Sequence, residues 1–220
     1  MVSSRNPVSI TTLAAENLDK SFSGPPLFSG LELRVERGLV AVTGRNGSGK
    51  TTLLKILAGL MRPTSGRVRV ERDGRTLEEP ERRLALGWAG PDLALYGELT
   101  AEENLRFFRR AAGREASPEE LRRRLSEAGL TEESSRRRVE EFSTGMKQRL
   151  RVAFATLFDP PILLLDEPTA GLDAEGRATV LSLVDAARRR GAVVLASNDE
   201  RDFVAPEARV DLGKRGSRKP

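Results

Sequence analysis

Two stretches of this 220-residue chain carry the residue types best suited to chemistry. The first, Gly44-Arg45-Asn46-Gly47-Ser48-Gly49-Lys50-Thr51, fits the pattern G-x-x-x-x-G-K-[ST]. It follows an apolar run, Leu39–Thr43, and opens a helical pattern over Thr51–Leu60. Main-chain N–H groups and a helix N-terminus can surround a phosphate chain closely only where side chains are missing, which explains the glycines. Lys50 supplies a point charge for β- and γ-phosphates. The Thr51 hydroxyl, with Thr52 beside it, is a hard oxygen suited to Mg²⁺. The expected ligand is ATP with Mg²⁺. The second stretch, Pro161-Ile-Leu-Leu-Leu165-Asp166-Glu167-Pro168, is an apolar strand ending in two acids. A buried strand delivers such acids to the carboxyl edge of a sheet, where α/β proteins bind ligands. Asp166 is then a Mg²⁺ partner through its water shell, and Glu167 is placed to orient and deprotonate a water beside the γ-phosphate.

The elements needed to position these residues are legible in the hydrophobic patterning. Ser9–Phe22 reads as a strand that ends at the turn residues Ser23-Gly24-Pro25-Pro26. Leu31–Val35 alternates apolar and charged residues, as a half-exposed antiparallel strand does. Leu39–Thr43 lacks alternation, as a strand covered on both faces does. Gly66–Asp73 alternates and closes at Asp73-Gly74, and Leu84–Ala89 reads as a further strand. Thr100 with Glu103 forms a capping box for a helix to about Ala112, stopped by Gly113. Ser117-Pro118-Glu119-Glu120 starts another, ending at Gly129. Residues 90–142 are therefore expected to form a mostly helical insertion. Beyond them the pattern gives a helix (Met146–Phe158), a strand (Ile162–Asp166), a helix (Asp173–Arg190), a strand (Ala192–Ser197) and a short strand near Val210. Strands alternating with helices imply an α/β fold with a mostly parallel sheet flanked by helices. The basic tail, residues 213–220, is expected to be disordered.

Composition narrows the function classes. No apolar run approaches the ~20 residues of a membrane span, and the N-terminus has no apolar core behind a basic start, so no secretory signal is expected. Cysteine and histidine are absent, which removes disulfides and fits a cytoplasmic location. The net charge is +5, with basic residues in short scattered runs and aromatic residues at only 5%. Nucleic-acid binding is not expected, because no aromatic platform interleaves with the basic residues.

Phe142-Ser143-Thr144-Gly145-Met146-Lys147-Gln148-Arg149, ahead of the helix that leads to the acidic strand, is similar to the LSGGQ-type signature of ABC (ATP-binding cassette) transporter ATPases. Pro168-Thr-Ala-Gly-Leu-Asp173 resembles that family's D-loop. With the phosphate loop and acidic strand in the same order, the resemblance covers about Ile10 to Leu212, most like bacterial exporter subunits of the drug, polysaccharide or haem-exporter type. It implies a P-loop NTPase fold with an antiparallel β subdomain near the N-terminus and the helical insertion. It also implies an ATPase on the inner face of the cell membrane, working with an integral-membrane subunit touched by Leu93–Phe108. A second cassette would pair head to tail, in a homodimer or heterodimer, closing Ser143 and Gly145 over ATP on the opposite phosphate loop. Phe22 aligns with the adenine-stacking aromatic, with Phe28 as the alternative. Asp173 sits in the D-loop. The chain departs from the family twice. Pro91, followed by Asp92, stands where a Gln normally reaches Mg²⁺ and water, leaving Asp92 as a further metal candidate. Asn198 stands where a switch His is normal. Asn carries no charge, so slower hydrolysis is expected, and a degenerate or regulatory partner in a heterodimer stays open as the second reading.

Overall fold

The computed structural model describes residues 9–213, so the expected disorder of the basic tail falls, apart from residue 213, outside the described residues. Two sheets share one chain. The first is antiparallel, with strands β1 (Thr11–Lys20), β2 (Phe28–Val35), β4 (Ser65–Arg72) and β5 (Arg75–Thr76) in the order β2-β1-β4-β5. On β2, Leu33 and Val35 are buried while Glu32 and Arg34 face solvent, which is the alternation of a one-sided sheet. The second sheet is parallel. It comprises β3 (Gly38–Thr43), β6 (Leu86–Ala89), β7 (Ile162–Asp166), β8 (Ala192–Ala196) and β9 (Ala208–Asp211), in the order β6-β7-β8-β3-β9. Every residue of β7 and β8 is buried, as their unbroken apolar runs require.

Helix α1 (Lys50–Leu57) springs from the loop after β3 and buries Leu53, Leu54, Ile56 and Leu57 in a core shared by both sheets. Helix α7 (Ala174–Arg190) packs on the other side through Val184 and Ala187. A third core is helical. It joins α3 (Ala101–Ala111), α4 (Pro118–Glu127) and α6 (Thr144–Ala155) through Leu105, Leu121, Leu125 and Leu150. Among the described residues no helix is long and apolar enough to cross a membrane.

Two sequence expectations shift. Leu84 and Ala85 belong not to a strand but to a short helix, α2 (Glu81–Ala85), whose helix-favouring Glu-Arg-Arg run overrides their apolar character; the strand β6 begins at Leu86. Helix α1 ends at Leu57 rather than Leu60, because Gly59 at φ 77° turns the chain out of the helix. The stretch expected to be mostly helical also contains a one-turn helix, α5 (Glu132–Ser135), and a 3₁₀ turn at Val139–Glu141.

Candidate functional site

The parallel sheet brings the carboxyl ends of β3, β7 and β8 together, in register Val42 to Ala196 and Asp166 to Ala196. The three polar segments that follow these strands therefore share one edge. Gly44 stands at φ 146°, and a Cβ there would lie 2.5 Å from the Ser48 hydroxyl. Gly49, at φ 101°, caps α1, and its Cβ would press on Leu27 at 3.2 Å. Both positions need glycine for the loop to curl this tightly. Arg45 closes the curl by accepting from the Ser48 N–H at 3.0 Å. An open cleft of about 540 Å³ lies over the loop, its walls including Phe22, Leu27, Asn46, Gly47, Glu167 and Asn198. Lys50, Thr51 and Thr52 form its floor.

The floor is electrostatically organised. Lys50 Nζ donates to the Gly44 carbonyl at 2.9 Å and to Asn198 Oδ1 at 2.8 Å. The Thr51 hydroxyl donates to Asp166 Oδ2 at 2.6 Å, joining residues 115 apart in sequence. Asp166 Oδ1 is buried without a hydrogen-bond partner. Burial pushes the Asp166 carboxyl above its usual range, against the opposing pull of the Thr51 hydrogen bond and Lys50. A hydroxyl oxygen and a carboxylate oxygen with a spare lone pair fit a hard cation such as Mg²⁺. Among the described residues no group of three or more His, Cys, Asp or Glu forms a cage, so such an ion would complete its shell with water and phosphate oxygens. The Asp92 carboxylate pairs with Lys55 Nζ on α1 at 2.8 Å, and its charge adds to the upward push on Asp166.

Glu167 turns the chain at φ 49°, a conformation rare for a side chain of this size. It is held there on two sides. Its N–H donates to the Ala196 carbonyl at 2.8 Å, and its own carbonyl accepts from Gln148 Nε2 at 3.1 Å. Asn198 Nδ2 donates to Glu167 Oε1 at 2.6 Å, so one amide side chain bridges Lys50 and Glu167. Burial raises the Glu167 carboxyl above its usual range, against the opposing pull of Asn198 and Lys50.

The remaining sequence candidates divide. Phe22 is 61% exposed at the cleft mouth, with Lys20 Nζ 4.6 Å from its ring centre. Phe28, by contrast, is buried in the core and does not line the cleft. Ser143 and Gly145 lie outside the cleft. Ser143 is exposed and caps α6 by accepting from the Met146 N–H at 3.2 Å. Gly145 packs near Leu172 and Gly171. Asp173 accepts from the Gly176 N–H at 2.8 Å and caps α7. Sequence reasoning did not single out Gln148 as a support for Glu167, nor Leu27 as a cleft wall. Gln148 lies in the quoted motif, but its partner is 19 residues away, a contact no local pattern reveals.

Comparison with known proteins agrees with this geometry. The family model described as ABC transporter matches residues 28–170. The daunorubicin resistance ATP-binding protein DrrA3 of Streptomyces coeruleorubidus is 36% identical over 214 residues, covering 93% of this chain. The ATP-binding protein YbhF of Escherichia coli K12 is 34% identical over 210 residues, covering 94% of this chain. The chain spans 66% of DrrA3's length and 36% of YbhF's. A structure titled as a dimeric, post-hydrolysis state of the ATP-binding cassette MJ0796 bound to ADP and Pi superposes with a TM-score of 0.80 at 25% identity, over 91% of this chain and 95% of that one. With that family match, those relatives and a phosphate loop facing two strand-end acids, the chain belongs to the ABC transporter family of ATP-binding proteins.

Proposed function

We propose that this chain binds ATP in the cleft over Gly44–Thr51, hydrolyses it, and drives a separate membrane subunit of an exporter. The observation that carries the reading is the convergence of Lys50 and Thr51, Glu167, and Asn198 on one cleft from three separate strand ends, with Asp166 hydrogen-bonded to Thr51 beside it. Backbone N–H groups of residues 44–51 cradle the phosphates and Lys50 neutralises them; in doing so its ammonium leaves the Gly44 carbonyl and Asn198 for stronger, charged partners. The exposed ring of Phe22 offers a face to adenine. Thr51 and Asp166 would hold Mg²⁺, which supplies charge neutralisation on the β- and γ-phosphates. Glu167 accepts a proton from the water that attacks the γ-phosphorus, while Asn198 hydrogen-bonds the γ-phosphate without adding charge.

The position of Ser143 and Gly145 outside the cleft supports a two-chain site. A second cassette, presenting these residues to the phosphates, would complete it, as the dimeric arrangement named for MJ0796 suggests. The name of DrrA3 as a drug-resistance protein supports the exporter assignment. Location at the inner face of a membrane follows from pairing with a membrane subunit. The second reading, a slow or regulatory member of a heterodimer, is favoured by two features: Asn198 gives the γ-phosphate end a neutral donor, and Pro91 offers no side-chain donor at all.

The test is titration of the purified chain with Mg²⁺-ATP, followed by phosphate release at saturation. Binding at or below millimolar nucleotide with steady release supports the reading. Binding without release, alone or with a mixed partner, supports the regulatory one. An empty cleft at millimolar nucleotide overturns both.

A further inference from the structure

A second polar cluster lies behind Glu167 and Asn198, away from the cleft floor. Asp202, at the end of the 3₁₀ turn Glu200–Asp202, has a side chain with no exposed surface. Thr169 Oγ1 lies 2.9 and 2.7 Å from its two carboxylate oxygens and donates to them. Ser197 Oγ donates to its Oδ2. Arg177 of α7 forms an ion pair with it at 2.7 Å, and with Asp199 at 2.7 Å through its other terminal nitrogen. Four segments thus meet on one buried carboxylate: the turn after β7, the loop after β8, the 3₁₀ turn and α7.

Burying a carboxylate is costly, and an ion pair inside a protein is weak evidence of stabilisation. What such a cluster does provide is register. Thr169 is two residues beyond Glu167, and Ser197 is one residue before Asn198. Ser197 also accepts from the Asp199 N–H at 3.0 Å, and its Oγ stands 3.3 Å from Glu167 Oε2. A serine hydroxyl has one proton. Given to Asp202, it leaves Asn198 Nδ2 as the close donor to Glu167, at 2.6 Å.

We propose that Asp202 is a positioning residue for hydrolysis: by gripping Thr169 and Ser197 together it locks the loop carrying Asn198 to the turn that follows Glu167, so the two groups at the γ-phosphate end move as one unit. The inference rests on the reading that Glu167 and Asn198 serve the attacking water. It extends that reading to residues that touch neither nucleotide nor water.

Asp202 itself is a poor first variant, because removing it leaves Arg177 without its buried partner. Thr169→Val keeps the shape and removes the hydroxyl, and Thr169→Ser restores the hydroxyl. With purified chain and saturating Mg²⁺-ATP, Thr169→Val should lower kcat about tenfold while KM for ATP stays within about twofold. Thr169→Ser should recover most of the loss. Amide hydrogen exchange gives a readout independent of turnover. In Thr169→Val, the Ala170 and Leu172 amides and the Asp202 and Phe203 amides should accelerate together, while those of α1 do not change. Unchanged kcat, acceleration in only one of the two segments, or failure of Thr169→Ser to rescue would overturn the proposal. A wild-type chain that never releases phosphate fails at the hydrolysis reading itself, and with it the positioning role, whereas wild-type turnover matched by Thr169→Val fails only here.

Discussion

The capping residues of the helical segment Ala101–Ala155 and the polar groups at the carboxyl edge of the parallel sheet are used in opposite ways. Ahead of the helices, Thr100, Ser117, Thr131 and Ser143 each accept a hydrogen bond from the amide three residues on, filling a donor the helix cannot satisfy itself. At the sheet edge, Asp166 Oδ1 and Ser48 Oγ are buried without hydrogen-bond partners, and Glu167 holds a left-handed conformation. A buried polar group left unsatisfied costs about 1–3 kcal/mol. The satisfied set stabilises the fold. The unsatisfied set spends stability and is available to a ligand. Substitutions should separate the two: changes at the sheet edge should cost function and little stability, and changes at the caps the reverse.

The largest expected effect is at Lys50. Lys50→Ala removes the charge that meets the phosphates, and affinity for Mg²⁺-ATP should fall by about a hundredfold or more with the fold intact. Calorimetric titration reads this directly, and affinity within a few-fold of wild type would contradict the site. Glu167→Gln comes next. It keeps the side chain's size but removes its basicity, so nucleotide should still bind while phosphate release drops about 10²–10⁴-fold. Normal turnover would mean another base.

Ser143 is a cap to which the proposed two-chain site also gives a function, which makes it the sharpest test of the division. Aspartate is as good a helix cap as serine, so Ser143→Asp should leave the melting temperature within about 2 °C of wild type. Its negative charge, however, would face the phosphates held by a second chain. ATP-driven pairing, read by size-exclusion chromatography of a Glu167→Gln background, should disappear while single-chain nucleotide affinity holds. If pairing survives, Ser143 is a cap and nothing more. Asn198→His gives a smaller effect in the opposite direction. A charged donor is worth roughly 1 kcal/mol more than a neutral one, so phosphate release should rise about fivefold. Equal rates would show that the neutral bridge between Lys50 and Glu167 is no handicap.

What could be read from the sequence follows the same division. The phosphate loop, the strand-end acids and the helix caps at Thr100 and Ser117 are local patterns: a few adjacent residues dictate a turn, a strand end or a cap whatever the rest of the chain does. Long-range partnerships leave no such trace. Thr51 meets Asp166 across 115 residues, and Thr169 meets Asp202 across 33. Asp92 shows the limit. Its place in the family pattern marks it as a cation candidate, but no local pattern reveals that its carboxylate also pairs with Lys55 on α1. Leu84 shows another. Its apolar side chain suits strand or helix equally, and the Glu-Arg-Arg run before it decides for helix.

The smallest effect lies in the capping box of α3. Glu103 accepts from the Thr100 N–H at 2.8 Å, and that bond, followed by the Thr100 hydroxyl, holds the Glu103 carboxyl below its usual range. A carboxyl whose pKa is lowered by folding adds stability above the pKa of the unfolded chain, here 4.5, and loses it as pH falls through the folded value. Exposure of Glu103 to solvent keeps that contribution small. Glu103→Gln should therefore barely change stability at pH 4 and lower it slightly at pH 7, narrowing the difference between the two conditions. Thr100→Ala, which also removes the reciprocal bond to the Glu103 N–H, should cost about 1 kcal/mol, a fall of roughly 2–4 °C in melting temperature. In both variants phosphate release at saturating nucleotide should match wild type. A loss of turnover in either would mean that the helical segment contributes to the reaction through its folded geometry, and the separation between stabilising and functional polar residues would no longer hold.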